Sequence, residues 1–257
     1  MIDILILAAG KGTRMQSDLP KVLHEISGKP MLEWVVDSLE SAGQKSLTLI
    51  LSPEPEPFNH FLEKHPNCRV VVQNQRRGTG DAVAAASCAY DNVKSPYFAD
   101  GKLLRGKTVS ADHVFVCYGD VPAISSAEIS EFIEGFLNSG CDLGIIGMEV
   151  PDPTGYGRLL IQDQKLTGII EEKDANAEQK KITLCNTGII IAKAETLFQQ
   201  LNSIKNENTQ KEYYLTDCFC HEGKIPTFVY QAKNWRDFNG VNDKSQLQEV
   251  SLHLENR

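Results

Sequence analysis

The sequence predicts an α/β fold with a mainly parallel central sheet and helices on both faces. Two observations carry this. Short apolar runs rich in β-branched residues alternate with amphipathic helical stretches, and a glycine turn follows the first of those runs directly. With 257 residues, 41% of them hydrophobic, the chain can bury a sizeable core. Strands alternating with helices imply right-handed crossovers, which place a site at the carboxyl ends of the strands.

The first strand is Ile2 to Leu7, short and apolar as burial on both faces requires. Pro30 opens a helix whose buried face is Met31, Leu32, Val35, Val36 and Leu39, with Gly43 where a C-terminal cap belongs. Ser46 to Leu51 is the second strand. Pro53, Pro55 and Pro57 break the chain before a short helix carrying Phe58, Phe61 and Leu62, and Arg69 to Gln73 is the third strand. The alanine-rich Gly80 to Tyr90 is helical. Lys94 to Asp112 contains Pro96, Gly101 and Gly106 and the cations Lys94, Lys102, Arg105 and Lys107; it reads as a solvated surface hairpin, with a lid or partner role as the alternative. His113 to Tyr118 is a further apolar strand ending at Gly119-Asp120.

Beyond about residue 140 the pattern changes. Cys141 to Val150 is a strand, Arg158 to Gln162 and Leu166 to Glu171 form a hairpin turning at Asp163-Gln164, and Cys185 to Ala192 is a strand before a helix over Ala194 to Leu201. This half is expected to form a smaller lobe over the open edge of the sheet. Asn242 to Arg257 suffices for one helix, with Leu247, Val250, Leu252 and Leu254 as packing residues.

The run Leu7-Ala8-Ala9-Gly10-Lys11-Gly12-Thr13-Arg14-Met15, followed by Pro20-Lys21, is suited to phosphates. Gly10 and Gly12 let the backbone present N–H groups without a Cβ in the way, and Lys11, Arg14 and Lys21 supply positive charge. A dinucleotide fingerprint would need a third glycine opening a helix, where Met15 stands, and a P-loop would need Ser or Thr after Lys11, where Gly12 stands. The net charge of −8 argues against a nucleic-acid groove, so a local cation cluster points to a small anionic ligand. No apolar run approaches the roughly 18 residues of a membrane span, and Met1-Ile2-Asp3 lacks a signal-peptide n-region, so a cytoplasmic location without membrane partners is expected. Of the 7 cysteines the only close pair, Cys218 and Cys220, has neither zinc nor redox spacing. No histidine accompanies a serine or cysteine nucleophile motif.

The glycine motif resembles that of the nucleotidyltransferases that make nucleotide-sugars from a nucleoside triphosphate and a sugar 1-phosphate. Further motifs follow in one order: Gln73, Gly78-Thr79-Gly80-Asp81-Ala82, Tyr118-Gly119-Asp120-Val121-Pro122, Gly155-Tyr156-Gly157-Arg158, Glu171-Glu172-Lys173-Asp174-Ala175, Asn186-Thr187-Gly188, Glu212-Tyr213-Tyr214-Leu215-Thr216-Asp217 and Gly240-Val241-Asn242. Together they resemble the uridylyltransferase domain of the bacterial bifunctional enzymes that make UDP-N-acetylglucosamine, a cell-wall precursor. The resemblance implies a Rossmann-like nucleotidyltransferase fold over 1–243, with a nucleotide lobe of about 1–140 and a sugar lobe of about 141–243, then a helix over 244–257. No hexapeptide periodicity follows Val241, so the family's β-helix acetyltransferase is not expected here, and oligomeric state is not carried over; a monomer is admissible.

The implied reaction joins UTP and N-acetylglucosamine 1-phosphate, with Mg2+ as cofactor, and releases pyrophosphate. Arg14 and Lys21 are the implied catalytic residues. Leu7, Ala8, Ala9, Gly10, Lys11, Gly12, Gln73, Gly78 and Thr79 are the implied nucleotide contacts, with the Gln73 amide pairing both a donor and an acceptor of uracil. Tyr118, Gly119, Gly157, Glu171, Asn186, Tyr214 and Thr216 are implied for the sugar, Glu171 rather than Glu172 by motif alignment, with Lys173 and Asp174 as a loop ion pair. Asp120 and Asn242 are the implied metal ligands; a helix or turn cap at Asp120 and a helix cap at Asn242 are the competing readings. Another sugar 1-phosphate or triphosphate, or a nucleotide-sugar sensor without turnover, stands as the alternative function.

Overall fold

Ile4, Leu5 and Ile6 are wholly buried, because β1 (Ile2–Leu7) runs between parallel neighbours on both sides. A computed structural model of the chain describes residues 1–10, 12–220 and 223–257. Lys11 and His221 lie outside the described residues. After β1 come the short β2 (Glu25–Ile26) and β3 (Lys29–Pro30), then α1 (Met31–Ser41), β4 (Leu47–Leu51), α2 (Asn59–Lys64), β5 (Arg69–Gln73), α3 (Thr79–Ala85), β6 (Gly101–Arg105), β7 (His113–Tyr118) and α4 (Ser126–Ser139). The rest of the chain adds β8 (Leu143–Glu149), β9 (Arg158–Gln162), β10 (Lys165–Ile170), β11 (Leu184–Lys193), α5 (Ala194–Leu201), β12 (Thr227–Gln231) and α6 (Lys244–Glu255).

One mixed sheet has the order β10-β9-β11-β7-β1-β4-β5-β6, and β8 joins it by pairing with β11 and β12. Its centre, β7-β1-β4-β5, is parallel. The second half joins the first within this sheet, since Ile190 to Lys193 of β11 pair antiparallel with β7. The β9–β10 hairpin turns where expected, with Asp163 at φ 49° and Gln164 at φ 62°, as a two-residue hairpin turn requires.

Helices cover both faces. On one, α1, α2 and α4 pack Val35, Leu39, Phe61 and Phe132 against Ile4, Ile6 and Phe115; on the other, α3 and α5 pack Val83, Leu197 and Phe198 against Leu5, Val116 and Ile145. The alanine-rich segment starts its helix at Thr79 and tightens into a 3-10 turn over Ala86–Ala89, where small side chains let helix and sheet approach closely.

The segment Lys94 to Asp112 is not a free surface hairpin. Its β6 pairs antiparallel with β5 on the side away from β4, giving the outer backbone groups of Val70 to Gln73 their hydrogen bonds and forming the sheet's edge. At the carboxyl-terminal helix, Val250 is buried and Leu247 and Leu254 pack beside it, but Leu252 is 52% exposed because it lies on the opposite side of α6. Among the described residues no helix is long and apolar enough to cross a membrane.

At the amino ends of β1, β4 and β5 a polar network is sealed inside. The Asp3 carboxylate accepts from Ser46 (2.8 Å), Thr48 (2.9 Å) and Tyr90 (2.8 Å) and pairs with Arg69. Every acceptor there has a donor, so this network fixes three strands and leaves the opposite ends free for ligand.

Candidate active site

The carboxyl ends of β1, β5 and β7 open into a cleft of about 610 Å³, whose walls include Leu7, Ala8, Ala9 and Gly10 from the glycine turn, Gln73, Gly78 and Thr79 from the loop after β5, and Tyr118 and Asp120. Lys21 and Asn242 complete it. Most of the predicted nucleotide contacts therefore meet in one place, with both predicted metal ligands beside them.

The glycine turn has a local reason. Gly12 sits at φ 59°, and a Cβ there would lie 2.6 Å from Lys21 Cβ, so only glycine lets the Lys21 stem pack against the turn. Met15 is buried beneath the 3-10 turn Thr13–Met15, while Arg14 is exposed on it and does not line the cleft. Gly119 lies behind the wall, donating its N–H to Leu7 O at 3.1 Å.

Lys21 extends into the cleft and pairs with the Asp120 carboxylate, and its Nζ also donates to Asn242 Oδ1 at 3.0 Å. Both charged side chains are largely shielded, 13% and 15% exposed. Val241 donates to Asp120 O at 2.9 Å, which ties the far end of the chain to the end of β7. The helix-cap readings fail on geometry. The cap of α6 is Asp243, which accepts from Gln246 N at 3.0 Å, and the cap of α4 is Ser125. Asp120 and Asn242 thus present a carboxylate and an amide oxygen to one cation. Among the described residues no group of three or more His, Cys, Asp or Glu could hold a metal. Two hard oxygen donors fit a magnesium ion, which keeps most of its water and needs few protein ligands.

At the other end Gln73 is 3% exposed, and its Nε2 donates to Asp81 Oδ2 at 2.6 Å and to Gly78 O at 3.4 Å. Both amide hydrogens are used inside the protein, so Gln73 offers a base only its oxygen, not the donor–acceptor pair expected from sequence. Gly78 has φ 113° and ψ 178°, and a Cβ there would meet Tyr213 O at 2.5 Å. That contact docks the Tyr213–Leu215 segment onto the loop, reinforced by Gly80 N donating to Tyr213 O (2.8 Å) and Leu215 N donating to Thr79 Oγ1 (3.1 Å).

The predicted sugar residues gather one layer farther out. Glu171 Oε1 accepts from Thr216 Oγ1 at 2.9 Å, a Cβ on Gly157 would lie 3.2 Å from Glu171 Oε2, and Asn186 N donates to Gly157 O at 2.8 Å. Burial raises the Glu171 carboxyl above its ordinary range, and burial followed by the charges of Glu171 and Asp120 raises the Tyr118 phenol, which stands between this group and the cleft. Glu171 and Tyr214 line a neighbouring hollow of about 370 Å³ rather than the main cleft, and among the described residues the buried Tyr214 hydroxyl has no partner. Glu172 is committed to Arg158 at 2.7 Å, which leaves Glu171 as the available carboxylate of the two. Asp174 accepts from Thr209 Oγ1 at 2.5 Å and does not pair with Lys173. Sequence reasoning missed Val22, Arg76, Ala82 and Glu212 in the cleft wall; Glu212 and Ala82 lie inside the quoted motifs, whereas Val22 and Arg76 carried no signal of their own.

Residues 4–180 match the MobA-like NTP transferase domain. The chain belongs to that family. As a MobA-like NTP transferase it is a nucleotidyltransferase, and it is 35% identical over its full length to the bifunctional protein GlmU of Idiomarina loihiensis, spanning about half (52%) of that protein. Among solved structures, this transferase resembles a Bacillus anthracis protein assigned as a glucose-1-phosphate thymidylyltransferase (TM-score 0.73, 19% identity, 100% of this chain and 96% of that one). It also resembles HddC from Yersinia pseudotuberculosis complexed with GMP-PN (TM-score 0.68, 22% identity, 99% and 100% covered). These two likenesses establish the fold.

Proposed function

We propose that the protein transfers a uridylyl group from UTP to N-acetylglucosamine 1-phosphate, giving UDP-N-acetylglucosamine and pyrophosphate. The observation that carries this reading is the juxtaposition, in one cleft, of the Lys21–Asp120–Asn242 cluster with the Gln73 amide and the Gly78–Thr79 turn. The full-length identity to GlmU supports the choice of sugar and base.

A phosphate oxygen of the sugar phosphate attacks the α-phosphorus as the bond to the β-phosphate oxygen breaks, and the electron pair leaves with pyrophosphate. The nucleophile is already an anion, so no general base is required, and the obstacle is repulsion between phosphates. Lys21 neutralises charge at the α-phosphate. Arg14, exposed on the glycine turn, meets the β- and γ-phosphates together with the backbone near Gly12. Asp120 and Asn242 would hold magnesium, which would supply positive charge to the phosphates. Glu171, Asn186 and Thr216 orient the sugar hydroxyls and N-acetyl group, and Tyr118 separates sugar from base.

Product binding tests the reading. UDP-N-acetylglucosamine should raise the melting temperature more than UDP-glucose, dTDP-glucose or GDP-mannose at equal concentration, since a ligand stabilises by its affinity for the folded state. A larger rise with dTDP-glucose would favour a thymidylyltransferase, the reading that the likeness to the Bacillus anthracis structure supports, and would contradict this one.

A further inference from the structure

The Gln73 amide faces the cleft with one atom. A primary amide has two N–H bonds, and here they point at Asp81 Oδ2 (2.6 Å) and Gly78 O (3.4 Å). Exchanging the amide's nitrogen and oxygen would set Oε1 against a carboxylate and a carbonyl oxygen, so the chemistry of the partners fixes the orientation. Asp81 is 1% exposed, and Arg77 clamps its Oδ1 through Nε (3.1 Å) and Nη2 (2.7 Å). Arg77 is itself anchored, donating from Nη2 to Phe98 O at 2.6 Å. The orientation of Gln73 is therefore set by the buried Asp81 and its partner Arg77, neither of which lines the cleft.

We propose that Asp81, clamped by Arg77, sets base selectivity by holding Gln73 as a pure hydrogen-bond acceptor. The cleft then takes a base with a ring N–H donor, the imide of uracil or thymine, and rejects cytosine, whose N3 at the same place is a bare acceptor facing Gln73 Oε1. The inference rests on the uridylyl reading above and deepens it. Asp81 is a positioning residue, acting on the base through Gln73. A buried acceptor set against another acceptor loses its bond and is left unpaired, the condition under which polar sites discriminate most strongly.

The test is kcat/KM for UTP, dTTP, GTP and CTP in the wild type, Asp81→Asn and Arg77→Gln. Asparagine at 81 keeps the shape but can face Gln73 with either N–H or oxygen, which frees the Gln73 amide to turn. The UTP/CTP ratio should fall on the order of tenfold or more in Asp81→Asn, mainly through KM, and less in Arg77→Gln. A merely structural role would lower UTP and CTP turnover together and leave the ratio within about twofold, which overturns the proposal. If Asp81→Asn does not fold, an unchanged ratio in Arg77→Gln overturns it equally. Failure of the underlying reading looks different. A wild type that prefers dTTP refutes UTP as substrate while the dTTP/CTP ratio still tests Asp81, and a wild type that prefers CTP overturns both.

Discussion

Lys21 donates to Asn242 at 3.0 Å across 221 residues of sequence while pairing with Asp120, so one ammonium satisfies both predicted metal ligands. Asp120 follows β7 and Asn242 precedes α6, and this cation joins their side chains. An ammonium seated between two oxygen donors marks where a cation belongs, and a polyphosphate entering the cleft offers Lys21 a better partner than either.

Replacing Lys21 with alanine should therefore have two separable effects. Turnover should fall on the order of 100-fold or more, as on removal of other preorganised charge donors. With the ammonium gone, Asp120 and Asn242 should bind Mn2+ more tightly than in the wild type in the absence of nucleotide, measured by the loss of the free-ion paramagnetic signal. Unchanged Mn2+ affinity would separate Lys21 from the cation site.

The Asp3–Arg69 pair predicts a stability effect remote from the chemistry. Asp3 is fully buried and Arg69 nearly so, and Asp3→Ala leaves the guanidinium without a counter-charge. The loss should be about 3–5 kcal/mol, read by urea unfolding at unchanged m-value.

Gly78→Ala tests the docking of the Tyr213–Leu215 segment. Its φ of 113° with ψ of 178° is nearly confined to glycine, and the added Cβ meets Tyr213 O at 2.5 Å. The backbone conformation alone should cost about 1–3 kcal/mol, and KM for nucleotide should rise because the loop carries Thr79. A fully stable variant with wild-type KM would contradict the geometry.

Asp217 predicts a pH dependence. Burial, followed by the charges of Glu171 and Asp174, pushes its carboxyl from the usual 3.8 up to about 6. The folded state then holds a proton that the unfolded chain releases, so this group favours unfolding above pH 6, and the penalty is relieved as pH falls from 6 toward 4. Asp217→Asn should melt higher than the wild type at pH 7.5, with the difference shrinking toward pH 4.5. A constant difference across that range would exclude titration of Asp217 as the cause.

The legible parts of the fold were those with local causes. The apolar runs of β1, β4 and β5 and the proline-opened α1 appear almost residue for residue, as does α5 at Ala194–Leu201. The helix α4 lies outside the elements expected from sequence, although Ser125 caps it and Gly140 at φ 70° ends it, both local signals. The edge strand β6 carries too little apolar pattern to announce itself, since it exists to complete the hydrogen bonds of β5. At the site, motif order brought Gln73, Gly78, Asp120 and Asn242 to one cleft, but the commitment of both Gln73 amide hydrogens depends on the placement of Asp81 and Gly78 in three dimensions.

The most direct measurement is pyrophosphate release by the purified chain with magnesium, UTP and N-acetylglucosamine 1-phosphate, beside EDTA, CTP, ATP and glucose 1-phosphate controls. The account predicts rapid release that requires magnesium and is confined to the UTP and N-acetylglucosamine 1-phosphate pair. Release with a different pair, or none from a folded chain that binds UTP, would contradict it.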